Sequence, residues 1–163
     1  MSAGLARQIL ARRVDNEIRA LNEYLGMSIP PAPEGAQFPM EIRITLSNVP
    51  ARISRDESGD RHEFALSISG EYPYERPSAR WLTPIFHPNI ASPRDGGFVC
   101  AKMLESWSFG STLLSFVKGV EQLLADPNPD NPYGTESCME AARWHAANRP
   151  RFEASVSYGG RDV

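Results

Sequence analysis

The chain is read as an α+β fold: an N-terminal helix, a four-stranded antiparallel meander, a long irregular loop region and C-terminal helices. Three observations predict it. Met40-Glu41-Ile42-Arg43-Ile44-Thr45-Leu46 and the run through Phe64, Leu66 and Ile68 alternate apolar and polar residues, the period of a half-buried strand. Leu113, Val117, Val120 and Leu124 recur at helical spacing. The connections between strands are short, so neighbouring strands pair antiparallel, with helices covering one face.

The first element is a helix from about Ser2 to Leu25, within a helical region 1–26. Leu5, Ile9, Val14, Ile18, Leu21 and Leu25 recur at three-to-five-residue steps between Arg and Glu. Gly26 is placed to end it, and Pro30-Pro31 bars its continuation. Arg7, Arg12, Arg13 and Arg19 fall on or near its polar side, as a solvated face or as a partner surface. Residues 38–82 form the sheet. Met40–Leu46 is followed by a weaker strand around Ala51–Arg55, a turn over Asp56–Asp60, the Phe64–Ile68 strand, and a fourth over Ala79–Leu82 after Pro77.

Residues 83–111 are the irregular region. A helix over Thr112–Ala125, broadened by Leu114, Phe116 and Leu123, is capped by Ser111 or Thr112 and stopped by Asp126-Pro127-Asn128-Pro129. A third helix runs from Thr135 or Glu136 to Ala147 with Met139, Ala142 and Trp144 on it. Pro150 opens a short last helix, closing a helical region 112–153, and 154–163 is a tail, loose over Tyr158–Val163.

At 163 residues the chain suits one domain, 1–163. A net charge of −3 without a basic run gives no reason to expect a nucleic-acid partner. The sequence shows no membrane-length apolar stretch, signal region or lipidation motif, so a soluble cytoplasmic protein is expected. Two cysteines, Cys100 and Cys138, are too few for a disulfide framework. Zinc held by them and some of His62, His87 and His145 lacks any supporting spacing, so no metal is expected. Fifteen Arg stand against two Lys, Lys102 and Lys118. Codon bias explains this, or the need to limit lysines around a lysine-reactive group.

The most informative stretch is 87–107. His87-Pro88-Asn89-Ile90 precedes a loop through Pro93, Asp95, Gly96 and Gly97, then Phe98-Val99-Cys100 and Trp107. Gly and Pro at this density forbid a helix and set an irregular backbone around one thiol. With Tyr72-Pro73-Tyr74 and Pro77 upstream and Pro127-Asn128-Pro129-Asp130 downstream, this order resembles the ubiquitin-conjugating enzymes and their UBC-like fold. The resemblance runs from about Tyr72 to Phe152. Before Tyr72 it is one of pattern, because the usual Gly-Pro and Pro-Tyr-Gly-Gly signals are absent.

The resemblance implies an acyltransferase that carries ubiquitin or a ubiquitin-like protein as a thioester on Cys100 and passes it to a lysine amine or a ligase. It implies Asn89 as the catalytic donor or as a loop holder; on its own chemistry Asn89 also suits a turn. It implies structural roles around the active site for His87, Pro88 and Trp107. It places Asn131 at the gate for the amine, with Asp130 shaping the turn and Tyr133 lining the approach. Tyr74 and Phe109 stand where RING-type ligases dock, and Arg7, Arg12 and Arg13 where the activating enzyme contacts the first helix. No cofactor is implied, since ATP is used by the activating enzyme.

The chain departs from the pattern in a longer His87–Cys100 loop, in Ser108-Phe109-Gly110 for Ser-Pro-Ala, and in Ala101-Lys102 for Leu-Asp. Lys102 is either a solvent-facing lysine or a self-modification site. These departures and the Arg bias point to a divergent member, as in prokaryotic ubiquitin-like systems. A non-catalytic binding module on the same scaffold is the second reading. An unrelated cysteine hydrolase is the third, and it lacks a His-plus-carboxylate pair.

Overall fold

The computed structural model describes residues 5–32, 36–104 and 106–148. Helix α1, Arg7–Leu25, buries Leu10, Ala11, Val14, Ile18 and Leu21 along one side. Its apolar stripe differs from the expected one at one point: Ile9 is 53% exposed, and Leu10 takes the inward position. The helix begins at Arg7, with Leu5 and Ala6 outside it, and Ser2 lies outside the described residues. Gly26 ends it at φ 67°, a left-handed conformation that glycine adopts without a Cβ penalty, and its N–H donates to the Asn22 carbonyl. The Asn22 side chain also pairs with both backbone groups of Ile29 (2.7 and 2.9 Å), which steers the Pro-rich connector away from the helix axis.

Among the described residues the sheet has three strands, not four: β1 Met40–Arg52, β2 Ser58–Ile68 and β3 Ser78–Trp81, antiparallel in the order β1-β2-β3. The two strands expected over 40–46 and 51–55 are one strand up to Arg52, and residues 53–55 belong to the following turn. Asn48 sits at φ 62°, and the β1–β2 register shifts between Ser47 and Ala51. This bulge breaks the period-two pattern without breaking the strand. Ser54 Oγ accepts from the N–H groups of Asp56 and Glu57, closing the turn into β2.

Pairing Ile44 with Phe64 and Phe64 with Trp81 gathers the apolar residues on one sheet face. Trp81 stacks on Phe64 at 5.4 Å between ring centroids. The other face carries Arg43–Glu63, Arg61–Glu63 and Arg80–Glu41 ion pairs.

Helix α2, Leu113–Ala125, packs on α1 and β1 through Leu113, Phe116, Val117, Val120, Leu123 and Leu124. Thr112 and Ser115 exchange side-chain and backbone bonds at its start, satisfying two otherwise unpaired donors. Helix α3, Glu136–Ala147, is capped by Thr135 and buries Cys138, Ala141 and Ala142. Met139 is 43% exposed, and Cys138 beside it turns inward. The expected last helix and tail, from residue 149 on, lie outside the described residues.

Candidate active site

The loop that carries Cys100 is fastened to the sheet on one side and to α3 on the other. The Gly97 carbonyl oxygen accepts the Trp81 N–H at 2.8 Å, extending β3 sideways into the loop. Gly97 has φ 67°, and a Cβ there would lie 2.6 Å from the Trp81 carbonyl oxygen, so both conformation and space call for glycine. Phe98 and Val99 then bridge to Arg80 and Ile90, and Ala91 N–H donates to the Phe98 carbonyl. Cys100 N–H donates to the Asn89 carbonyl at 3.0 Å, so the thiol leaves a backbone bonded on both sides. At the far end of the loop, Asp95 accepts from the Ser137 N–H (2.9 Å) and Ser137 Oγ accepts from the Ser92 N–H (3.1 Å). Hydrogen bonding from Ser137 holds the Asp95 carboxyl below the usual carboxylate range, and the two contacts tie the long loop to the first turn of α3.

The His87-Pro88-Asn89 turn holds the opposite wall. His87 is 2% exposed; its Nε2–H donates to the Leu123 carbonyl (2.8 Å) and its Nδ1 accepts the Asn89 N–H (3.0 Å). Burial lowers its pKa to about 4. The ring is therefore neutral, in a tautomer fixed by its two partners, and has no lone pair free to take a proton. The Pro88 carbonyl accepts the Tyr133 N–H at 2.9 Å. Fully buried Asn89 donates from Nδ2 to the carbonyls of Asn128 (3.2 Å) and Asn131 (3.0 Å) and accepts the Asn128 N–H on Oδ1 (2.8 Å). Its amide hydrogens, expected to face an oxyanion, are spent on the loop in this conformation.

These walls meet in a cavity of about 480 Å³ lined by Cys100, Ala101, Lys102, Asn131, Pro132, Tyr133 and Gly134. Cys100 is 7% exposed, and the Tyr133 ring packs at a tilt against Phe98, 5.7 Å between centroids. Asn131 and Tyr133 thus share one opening with the thiol. Asp130 does not line it: its N–H donates to Asn128 Oδ1 in the turn. Cys100 and Cys138 are both free thiols. Among the described residues no group of three His, Cys, Asp or Glu could hold a metal ion.

Trp107 lies away from this cavity. Its Nε1–H donates to the Pro73 carbonyl at 2.6 Å and its ring packs on Tyr72, so it anchors the Tyr72-Pro73 turn. Tyr74 and Phe109, 53% and 50% exposed, lie 5.2 Å apart as one aromatic patch. Arg13 is not free on the helix surface: it pairs with Glu17 (2.7 Å), donates to the carbonyls of Phe109 and Ser111, and stacks over Phe109. Arg7 and Arg12 remain exposed.

The linear pattern missed Glu17, whose Oε1 accepts both the Tyr72 hydroxyl (2.5 Å) and the Leu113 N–H (2.8 Å). Its partners lie in distant segments, and the Arg13–Glu17 spacing of four was the sole hint. Asp95 and Ser137 were missed as a pair for the same reason.

The family model described as ubiquitin-conjugating enzyme matches residues 58–158, which contain the His87-Pro88-Asn89 turn, the thiol loop and every residue lining the cavity. The chain is 37% identical over 75 residues to the ubiquitin conjugating enzyme E2 B of Dictyostelium discoideum, a match spanning 46% of this chain and 49% of that protein. It is 32% identical over 130 residues to the "Probable ubiquitin-conjugating enzyme E2 L460" of Acanthamoeba polyphaga mimivirus, covering 77% of this chain and 78% of the other. The solved E2 domain of a Toxoplasma gondii ubiquitin conjugating enzyme superposes with a TM-score of 0.62 at 26% identity, over 88% of this chain and 92% of that one. No described helix is long and apolar enough to cross a membrane. With the family pattern spanning β2, β3, the thiol loop and α3 together, the chain belongs to the ubiquitin-conjugating enzyme family.

Proposed function

We propose that the chain accepts the C-terminus of ubiquitin or a ubiquitin-like protein on Cys100 as a thioester and passes it to an amine. The observation that carries this reading is the single cavity shared by Cys100, Asn131 and Tyr133. In charging, the Cys100 thiolate attacks the carbonyl carbon of a carrier already held as a thioester on an activating enzyme, whose own thiolate leaves. Thiols need little activation for this step, so the lack of a proton-accepting His at the loop is no obstacle. In discharge, a neutral amine attacks the same carbon, a C–N bond replaces the C–S bond, and the thiolate returns to Cys100. Asn131 orients the amine as a hydrogen-bond acceptor; an amide does not remove its proton. Asn89 acts here as a positioning residue that fixes the Asn128–Asn131 wall.

Two surfaces support the proposed partners. Arg7 and Arg12 offer exposed charge to the activating enzyme, and the Tyr74–Phe109 patch offers a docking face for a RING-type ligase. The test is charging with ubiquitin, its activating enzyme and ATP. Wild type and Cys138→Ser should each gain an adduct that thiol reductant removes, and Cys100→Ala should not. Charging of Cys100→Ala, or its loss in Cys138→Ser alone, overturns the assignment. A correctly folded wild type that charges with neither ubiquitin nor a ubiquitin-like protein is a binding module.

A further inference from the structure

The walls of the Cys100 cavity come from separate segments. Cys100, Ala101 and Lys102 form the thiol wall; Asn131, Pro132, Tyr133 and Gly134 form the acceptor wall and run straight into Thr135, the cap of α3. Beyond the cavity the two segments are joined at Ser137, in the first turn of α3. Its N–H donates to Asp95 Oδ2 at 2.9 Å, and its Oγ accepts the Ser92 N–H at 3.1 Å. Asp95 is itself fixed in the loop, because the Ser92 carbonyl accepts the N–H groups of Asp95 and Gly97, both at 2.9 Å. Further along the same loop, Phe98 packs its ring on Tyr133. Asp95 does not line the cavity, so any effect it has there passes through Ser137.

We propose that Asp95 is a positioning residue for the amine step: by holding Ser137 it sets the separation between the acceptor wall and the thiol. The inference rests on the thioester reading above. Charging and discharge use the walls differently. In charging, the Cys100 thiolate attacks a carbonyl carbon presented from outside, and the acceptor wall takes no part. In discharge the amine lies between the walls, beside Asn131 and Tyr133, and must come within about 3–3.5 Å of the carbonyl carbon. A misplacement of about 1 Å in such a step costs ~10²-fold in rate. Asp95 therefore bears on aminolysis and not on reactions that need the thiol wall alone. Hydrogen bonding from Ser137 keeps the carboxyl below the usual carboxylate range, so it stays an acceptor wherever lysine is a nucleophile.

A peptide ending in Gly-Gly, supplied as its mercaptoethanesulfonate thioester, charges the thiol without an activating enzyme and serves as the probe. After excess reagent is removed, loss of the adduct is timed with free lysine and, separately, with dithiothreitol. The thiol reagent needs no acceptor wall and reports on the thiol loop alone. D95A should charge like wild type, discharge to dithiothreitol at the wild-type rate, and discharge to lysine about 10-fold more slowly. D95N, whose amide oxygen still accepts the Ser137 N–H, should recover most of the lysine rate.

A lysine rate in D95A at or above that of wild type overturns the inference. An equal fall with lysine and with dithiothreitol does so too, since it marks a general loosening of the loop. D95N as slow as D95A would assign the effect to charge and not to position, and would also overturn it. Failure of wild type to form any labile adduct on Cys100 removes the thioester reading itself, which separates the two.

Discussion

The side-chain amide of Asn89 donates to the Asn131 carbonyl oxygen at 3.0 Å, across 42 residues of sequence. The turn that supports the thiol loop and the residue that faces the thiol are thereby one rigid unit. Asn89 N–H is fixed by His87, and Cys100 N–H by the Asn89 carbonyl. A shift of Asn89 would move both walls of the cavity.

Asn89→Ala should therefore act on stability as well as rate. It removes both amide donors and one acceptor from a fully buried position, and each group left unpaired away from water costs about 1–3 kcal/mol. The melting temperature should fall by roughly 2–4 °C per kcal/mol. Amide exchange at Asn128 and Asn131 should quicken, and thioester discharge should slow by ~10²-fold with charging less affected. Slow discharge with unchanged stability and exchange would instead make Asn89 a direct donor to the oxyanion.

His87 makes stability depend on pH. Its folded-state pKa, about 4, lies below the ordinary histidine value near 6.5, because burial opposes the charged ring. As pH falls below about 6.5 the unfolded chain binds a proton that the native ring refuses. Stability present above pH 6.5 is thus lost down to about pH 4, by at most about 3 kcal/mol. His145, half-buried and bonded to the Phe86 carbonyl, is shifted down for the same reason and adds to the slope. Denaturant titrations at pH 7, 5.5 and 4.5 should show this loss, and His87→Gln should flatten it while costing stability at pH 7. An unchanged slope in His87→Gln would show that other groups carry the effect.

Three arginines of α1 should separate by role. Arg13 is 20% exposed at its side chain and joins α1 to the Phe109–Ser111 turn, so Arg13→Ala should cost about 1–3 kcal/mol, with little rescue by Lys, which lacks the planar fork. Arg7→Ala and Arg12→Ala, on exposed positions, should stay within about 0.5 kcal/mol of wild type. Their effect should appear in charging, as a higher KM for the activating enzyme that grows as salt is lowered. Thermal melts and charging kinetics on the three variants test this division. Equal melting of all three would undo it.

The parts of the site written as contiguous sequence were legible: Cys100 on its Gly-rich approach, the His87-Pro88-Asn89 turn, and Asn131 after Pro129-Asp130. The parts built by pairing distant segments were not. Glu17 reaches Leu113 across 96 residues, and Asp95 reaches Ser137 across 42, with no local pattern at either end. Periodicity also fails where the backbone departs from regularity. A left-handed Asn48 made one strand read as two, and on α1 the choice between Ile9 and Leu10 was decided by packing. Arg13 looked like surface charge because its acceptors are backbone carbonyls, which any sequence supplies.

Asn131 offers the sharpest test of the acceptor side. Its carbonyl is held by Asn89 and the residue lines the Cys100 cavity, so Asn131→Asp changes the chemistry at the opening and leaves the supporting bond in place. A carboxylate there attracts an incoming ammonium but also raises its pKa, and these effects oppose each other. Orientation and proton acceptance should outweigh that penalty, because the amide orients an amine yet takes no proton from it. Discharge of preformed thioester to free lysine should then be faster near pH 7 in Asn131→Asp, with charging little altered. The gain should shrink as pH rises and the amine deprotonates on its own. Single-turnover discharge across a pH series measures it. A rate and profile identical to wild type would mean that the side chain at position 131 does not meet the attacking amine.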